Sequence, residues 1–221
     1  MNTSPLLSAT LLALGFIAPL TAPLATGSAR AATANAVAEK PALPADTFKT
    51  FVSQPVQSLD PLYVQSKAEK AVSRLVHRGL VSYSPQILPP RNGAYHQVIP
   101  AVASSWQIGS DKKSYIFRLN PEARFQNGRQ ITAEDVKYSI ERAANPNLNA
   151  VDTWAIERLG IVGLKRYQAA QRAGLQEPHL LGVEVIDHDI LQLQLDRPIP
   201  YALELLALPV FSVVPRENVQ K

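Results

Sequence analysis

Apolar and polar positions recur along this chain with two different periods, and the places where the period changes mark its elements. Ala68, Ala71, Val72, Leu75 and Val76 fall at i, i+3, i+4, i+7 and i+8, the spacing of one helical face. Gly79 follows where a left-handed C-terminal cap is wanted. Tyr115, Phe117 and Leu119 alternate with Ile116 and Arg118, which predicts a strand with one strongly apolar side. The clearest hairpin joins Val183 to Ile186 with Ile190 to Leu195 around Asp187-His188-Asp189. Leu191, Leu193 and Leu195 lie on one side of it, and Gln192, Gln194 and Asp196 on the other. Between these strands Val136, Ile140 and Ala143 return to the helical period.

Turn and capping residues bound these segments. Phe48 to Val52 reads as a short strand, and the prolines of Ser53 to Pro61 force an extended or turning path after it. Ser84 to Gln97 holds three prolines and Asn92-Gly93, the composition of a surface loop or a hairpin excursion. Asn127-Gly128 supplies a turn free to take positive φ. Thr132 and Asp135 stand at the spacing of a capping box, and Pro146 stops the helix they open. Tyr201 to Ala207 predicts a short helix, and Val210 to Val214 a final strand.

Composition adds an address and removes several chemistries. Residues 1–38 contain no acid and one base, Arg30, and Leu6 to Leu24 is largely apolar with small residues after it. That is the layout of a secretory signal peptide, with Ala29-Arg30-Ala31 and Ala36-Val37-Ala38 as cleavage candidates. Residues 39–46 read as a flexible lead-in and 47–221 as the folded part. About 185 residues then remain, enough for one ordinary domain and too few for two large lobes. Cysteine is absent, which leaves no disulfide, no thiolate site and no lipid-modified N-terminal Cys. The formal charge of +4 is spread among interleaved acids, unlike the clustered bases of a nucleic-acid groove.

One ordered set of residues carries more than composition does. Ile99-Pro-Ala-Val-Ala-Ser-Ser-Trp106, Asp111, Tyr115 to Leu119, Pro121, Arg124-Phe125, Gly128, Thr132 to Val136, Ser139 and Arg142 occur in sequence. This order resembles the signature of the bacterial extracellular solute-binding proteins, family 5. Upstream, Gln57-Ser58-Leu59-Asp60-Pro61 and Arg78-Gly79-Leu80 agree. So, downstream, do Ile161-Val162-Gly163, Gly182-Val183, Pro200-Tyr201 and Val213-Val214-Pro215. His77-Arg78 departs from the aromatic-acidic pair usual before Gly79, and the loop near Asn92 is longer.

The resemblance implies an α/β fold of the type II periplasmic binding protein kind, with a mixed β-sheet and flanking helices. It implies capture of short peptides in the periplasm for delivery to an ABC permease in the inner membrane, with no cofactor and no catalysis, ATP being hydrolysed by a separate subunit. Such proteins enclose the ligand between two lobes. A chain ending at Lys221 is expected to hold an incomplete first lobe and to bind weakly.

For the site, the resemblance places Gln65, Ser66 and Lys67 on a loop facing the ligand cleft, where free backbone groups suit an extended peptide. The plainer alternative is an N-terminal cap, since Ser66 precedes the helix. Trp154, after Asn145-Pro146-Asn147 in a loop-like region, is the better cleft platform. Trp106 ends an apolar run and is expected to pack, and Tyr95 anchors the enlarged loop. His77, His96, His179 and His188 are scattered without metal-ligand spacing. No Gly-x-Ser-x-Gly, Gly-x-Gly-x-x-Gly or Gly-Lys-Ser/Thr motif is present. Two rivals stay open: a folding-compromised product without binding function, and a small secreted hydrolase using His179 or His188.

Overall fold

The computed structural model describes residues 54–84, 97–175 and 178–219. The expected signal peptide, the lead-in, the strand at Phe48 to Val52, Tyr95, His96 and Asn92-Gly93 lie outside the described residues. Helix α1 is Lys67–Val76, and β1 (Val81–Tyr83) follows it. Next come β2 (Val98–Pro100), β3 (Ala103–Ile108) and β4 (Ser114–Leu119). Three helices follow: α2 (Ala133–Ala144), α3 (Thr153–Leu159) and α4 (Leu164–Arg172). Strands β5 (Val183–Asp187) and β6 (Ile190–Gln194) precede α5 (Ala202–Leu206) and α6 (Arg216–Val219).

Strands β3, β4, β6 and β5 form one sheet in that order, and β1 pairs with β2 in a small second sheet. The α/β class with flanking helices is as expected. All pairings among the described residues are antiparallel, where a mixed sheet is expected. The cause is local, because β5 and β6 are joined by a tight turn, and β6 then lies antiparallel against β4. Strands β1 and β2 pair antiparallel, and beyond them Ser84 N–H donates to Gln97 O at 2.8 Å; the residues between Ser84 and Gln97, on which a loop or a hairpin excursion is expected, lie outside the described residues.

The alternation read from sequence sets the faces of the sheet. Tyr115, Phe117, Leu119, Leu191 and Leu193 are all buried on its inner side, and Trp106, opposite Phe117, packs partly buried beside them. Val136, Ile140 and Ala143 of α2 close this core from above. Each fully buried aliphatic of this size contributes about 1.5–3 kcal/mol. The N-terminus of α2 is fixed by the expected capping box of Thr132 and Asp135, and by Ala133 N–H donating to His188 O on the β5–β6 turn. Gly128 takes φ +85°, as its turn requires.

Several expectations change. Helix α1 ends at His77 in extended conformation, and Gly79 is not left-handed. Gly79 is small for another reason: a Cβ there would lie 3.2 Å from Leu206 O and 3.3 Å from Phe211 O. The apolar stripe of α1 does not face inward as a unit. The helix buries Ala68, Glu69 and Ser73 and leaves Leu75 63% and Val76 42% exposed, because the Glu69 carboxylate is turned in to bind backbone amides. Val210 to Val214 is not a strand. Pro209 opens a 3-10 turn over Pro209–Phe211, and the residues after it bond singly to Arg78 O and Ser139 Oγ. Trp154 sits in the first turn of α3 rather than in a loop.

Gly182 marks the closest packing. A Cβ there would meet Gln194 O at 2.6 Å, and Ile161 Cγ2 and Val162 N at 2.7 Å. Two of these are backbone atoms that cannot swing away. Gly182→Ala is expected to destabilise the chain by about 1–3 kcal/mol in urea unfolding, as overpacking does; an unchanged midpoint would contradict this packing.

Candidate functional site

Residues 57–67 are organised by one carboxylate. Ser66 caps α1 through its hydroxyl, which accepts from Glu69 N–H at 3.0 Å. Glu69 answers by accepting from Ser66 N–H at 2.9 Å, Gln65 N–H at 2.8 Å and Gln57 N–H at 3.0 Å. The Ser66, Gln65 and Gln57 amides hold its pKa down at about 2, against an ordinary 4.5. The capping reading of Ser66 is therefore realised, and the N–H groups of Gln65 and Ser66 are already engaged. The side chains of Gln65 and Lys67 remain exposed.

A second contact brings Trp154 to this loop. Val151 N–H donates to Leu62 O at 2.8 Å, so the segment before α3 runs beside the segment before α1. Asp152 then takes Lys70 Nζ at 2.9 Å and Trp154 Nε1–H at 3.2 Å. The indole is pinned by its nitrogen while the residue stays 53% exposed. Gln65, Ser66, Lys67 and Trp154 thus belong to one neighbourhood, joined through Lys70 and Asp152. Sequence reasoning missed those two, because a pair 82 residues apart leaves no local signal.

The same loop is anchored on its other side. Arg142, 7% exposed at its side chain, makes a paired contact with Asp60 at 2.6 and 2.9 Å. Burial raises the Asp60 pKa, but the Arg142 hydrogen bonds and Leu62 N–H outweigh it and hold the carboxyl below its ordinary value. His77, whose departure from the family pattern is noted above, sets its Nε2 2.9 Å from Leu59 O. Burial lowers its pKa.

Beyond Asp60 lies a groove of about 1300 Å³ between the 59–63 loop, the end of α1, α2 and residues 213–219. Arg78, Arg124, Tyr138 and His179 are among its walls, whereas Gln65, Ser66, Lys67 and Trp154 are not. Its walls come from segments distant in sequence, so no motif announces it. His179 Nδ1 stands 3.6 Å from Glu141, and His188 lies on the β5–β6 turn. Among the described residues, no hydroxyl is hydrogen-bonded to either ring and no cluster fits a metal ion. Among those residues too, no helix is long and apolar enough to cross a membrane.

This α/β unit, with an antiparallel core sheet, a capped α2 over it and an open groove beside it, has solved counterparts. The structure of the murein tripeptide binding protein MppA of Escherichia coli superposes with a TM-score of 0.62 at 27% identity, covering 74% of this chain and 29% of that one. Haemophilus influenzae OppA, solved with RPPGFSPFR, gives 0.64 at 24% identity over 74% of this chain and 29% of that one. The family model for bacterial extracellular solute-binding proteins, family 5 Middle, matches residues 97–221. The chain belongs to that family. The periplasmic oligopeptide-binding protein OppA of Escherichia coli (strain K12) is 30% identical over 166 residues, which are 75% of this chain and 28% of that protein. The chain therefore spans under a third of the length of the curated relatives it matches.

The Glu69 carboxylate sets an acid limit on the loop. With a folded pKa near 2 and an ordinary value of 4.5, ionised Glu69 stabilises the fold fully above pH 4.5 and loses that effect as pH falls toward 2. Glu69→Gln is expected to melt below the parent chain at pH 7, and the gap in Tm is expected to close between pH 4.5 and about 2. A gap that does not change with pH would show that the charge does not hold the three amides.

Proposed function

We propose that this chain takes part in the capture of short peptides in the periplasm, for delivery to an ABC permease in the inner membrane. The observation that carries the reading is family membership over residues 97–221, together with a 30% identical relative named as a periplasmic oligopeptide-binding protein. The reading is one of binding without chemistry. No cofactor is required.

Gln65, Ser66, Lys67 and Trp154 form the peptide-contacting surface in this proposal. Trp154 offers an aromatic face held by Asp152, and Lys67 offers an ammonium at the start of α1. The Gln65 and Ser66 amides serve Glu69, so the contact to peptide runs through side chains and carbonyl oxygens. A peptide lying on this exposed face keeps its other side in water. Binding by the 221-residue chain is accordingly weak.

Titration of the isotope-labelled chain with trialanine, followed by amide and indole NMR shifts, tests this. The expected result is movement at Gln65 to Lys67 and at the Trp154 indole with Kd on the order of 1 mM, about −4 kcal/mol, weakened roughly tenfold by Trp154→Ala. Glucose at equal concentration is expected to leave those signals in place. Silence at these residues up to about 10 mM peptide refutes the site, and a low-micromolar Kd refutes the weak, one-sided mode.

A further inference from the structure

Six asparagines lie among the described residues, and only Asn127 is followed by glycine. Asn120 and Asn145 precede prolines, which have no backbone N–H to react. Asn147, Asn149 and Asn218 precede Leu148, Ala150 and Val219, whose side chains crowd the approach to the backbone nitrogen. Gly128 is uncrowded. It takes φ +85°, a Cβ built there would meet no atom within 4 Å, and both Asn127 and Gly128 are exposed. The Asn127 carboxamide is held in place, its Oδ1 accepting from Arg129 N–H at 3.0 Å. A donor at that oxygen draws electrons from Cγ and supports the charge that develops when a nucleophile adds. Gly128 N–H itself donates to Phe125 O at 2.9 Å. That bond belongs to a short exposed turn behind the isolated Arg124–Gln130 bridge, and such turns open locally at little cost.

The same turn carries a latch. Arg129 divides its guanidinium between two carboxylates, Asp135 at 2.8 Å and Glu217 at 3.0 Å. Asn127 Nδ2 donates to Glu217 Oε1 at 3.5 Å. Glu217 lies in α6, whose Arg216, Asn218 and Val219 wall the groove. The Arg129 hydrogen bonds hold the Glu217 carboxyl below its ordinary pKa, so it is charged at neutral pH. Arg124, the other base of the turn, directs Nη1 to Gly128 O at 3.4 Å.

We propose that Asn127 is a site of spontaneous deamidation through a cyclic imide, and that the product unlatches α6 from the start of α2. The Gly128 nitrogen loses its proton to hydroxide and attacks Asn127 Cγ. The Cγ–Nδ2 bond breaks, and ammonia leaves with a proton taken from water. Water then adds to one of the two imide carbonyls: opening at Cγ gives aspartate, and opening at the main-chain carbonyl gives isoaspartate. Either product puts a carboxylate where an amide donor stood. One guanidinium then faces three carboxylates in place of two, and Glu217 loses a donor and meets a like charge. Isoaspartate also adds a methylene to the main chain of the turn. The proposal is independent of the peptide-capture reading.

The test incubates the whole 221-residue chain at mildly alkaline pH and digests it with trypsin, which releases residues 125–129 apart from Asn92-Gly93. Mass spectrometry is expected to show NH2 exchanged for OH in that fragment at least about tenfold faster than at Asn147, Asn149 or Asn218, with aspartate and isoaspartate both present. Asn127→Gln is expected to stop it. A rate no higher than at those three asparagines overturns the site, and aspartate without isoaspartate overturns the cyclic route. For the latch, the deamidated pool separated by ion exchange and the Asn127→Asp variant are both compared with the parent chain by NMR. Shifts at Arg129 Nε, Glu217 and Asn218 are expected, with Phe117 and Leu191 unmoved. Unmoved signals at Glu217 and Asn218 in either sample overturn the unlatching.

Discussion

Arg142 reaches from the last turn of α2 to Asp60 at 2.6 Å, and this contact is one of several by which the helix holds irregular chain in place. Asp135 holds Arg129, which in turn holds Glu217 of α6. The Ser139 hydroxyl accepts from Val214 N–H. Glu141 accepts from Leu180 N–H at 2.9 Å. The apolar face of α2 is spent on the core, and its remaining face supplies polar groups to segments that have no ladder of their own. A helix used this way decides where loops stand, and both the candidate peptide surface and the neighbouring groove are made of those loops.

The legible part of the fold is the part with a period. Alternation at Tyr115 to Leu119 and at Leu191 to Leu195 identified the central strands, and Thr132 with Asp135 identified the start of α2. Helices α3 and α4 were not read, since α4 buries only Leu164 and Tyr167 among mainly polar residues. The apolar stripe of α1 misled for an energetic reason. Three backbone amides seeking one carboxylate outrank the burial of Leu75, so the helix turns its Glu69 side inward. Val210 to Val214 is β-branched enough to suggest a strand, but Pro209 starts a 3-10 turn, and the Val213 and Val214 amides after it bond singly to Arg78 O and Ser139 Oγ.

The neighbourhood of Gln65, Ser66, Lys67 and Trp154 is organised by contacts that the sequence does not show. Ser66 declared itself as a cap through its position, whereas Trp154, expected in a loop, is exposed on the first turn of α3. What joins them, Asp152 bridging Lys70 and the indole, depends on chain folding over 82 residues. The side chains of Gln65, Lys67 and Trp154 are exposed there. These residues are presented by helix starts, so their positions inherit the rigidity of the capped helices behind them.

The dependence of the 57–66 loop on α2 is open to direct measurement by native-state hydrogen exchange of Arg142→Met, a change that keeps an unbranched apolar stem and removes the guanidinium and its charge. Protection is expected to fall at Leu62 and at Val151, whose N–H bonds Leu62 O, while Phe117 and Leu191 in the central strands exchange as in the parent chain. Protection lost equally in the strands, or retained at Val151, would contradict the role given to Arg142.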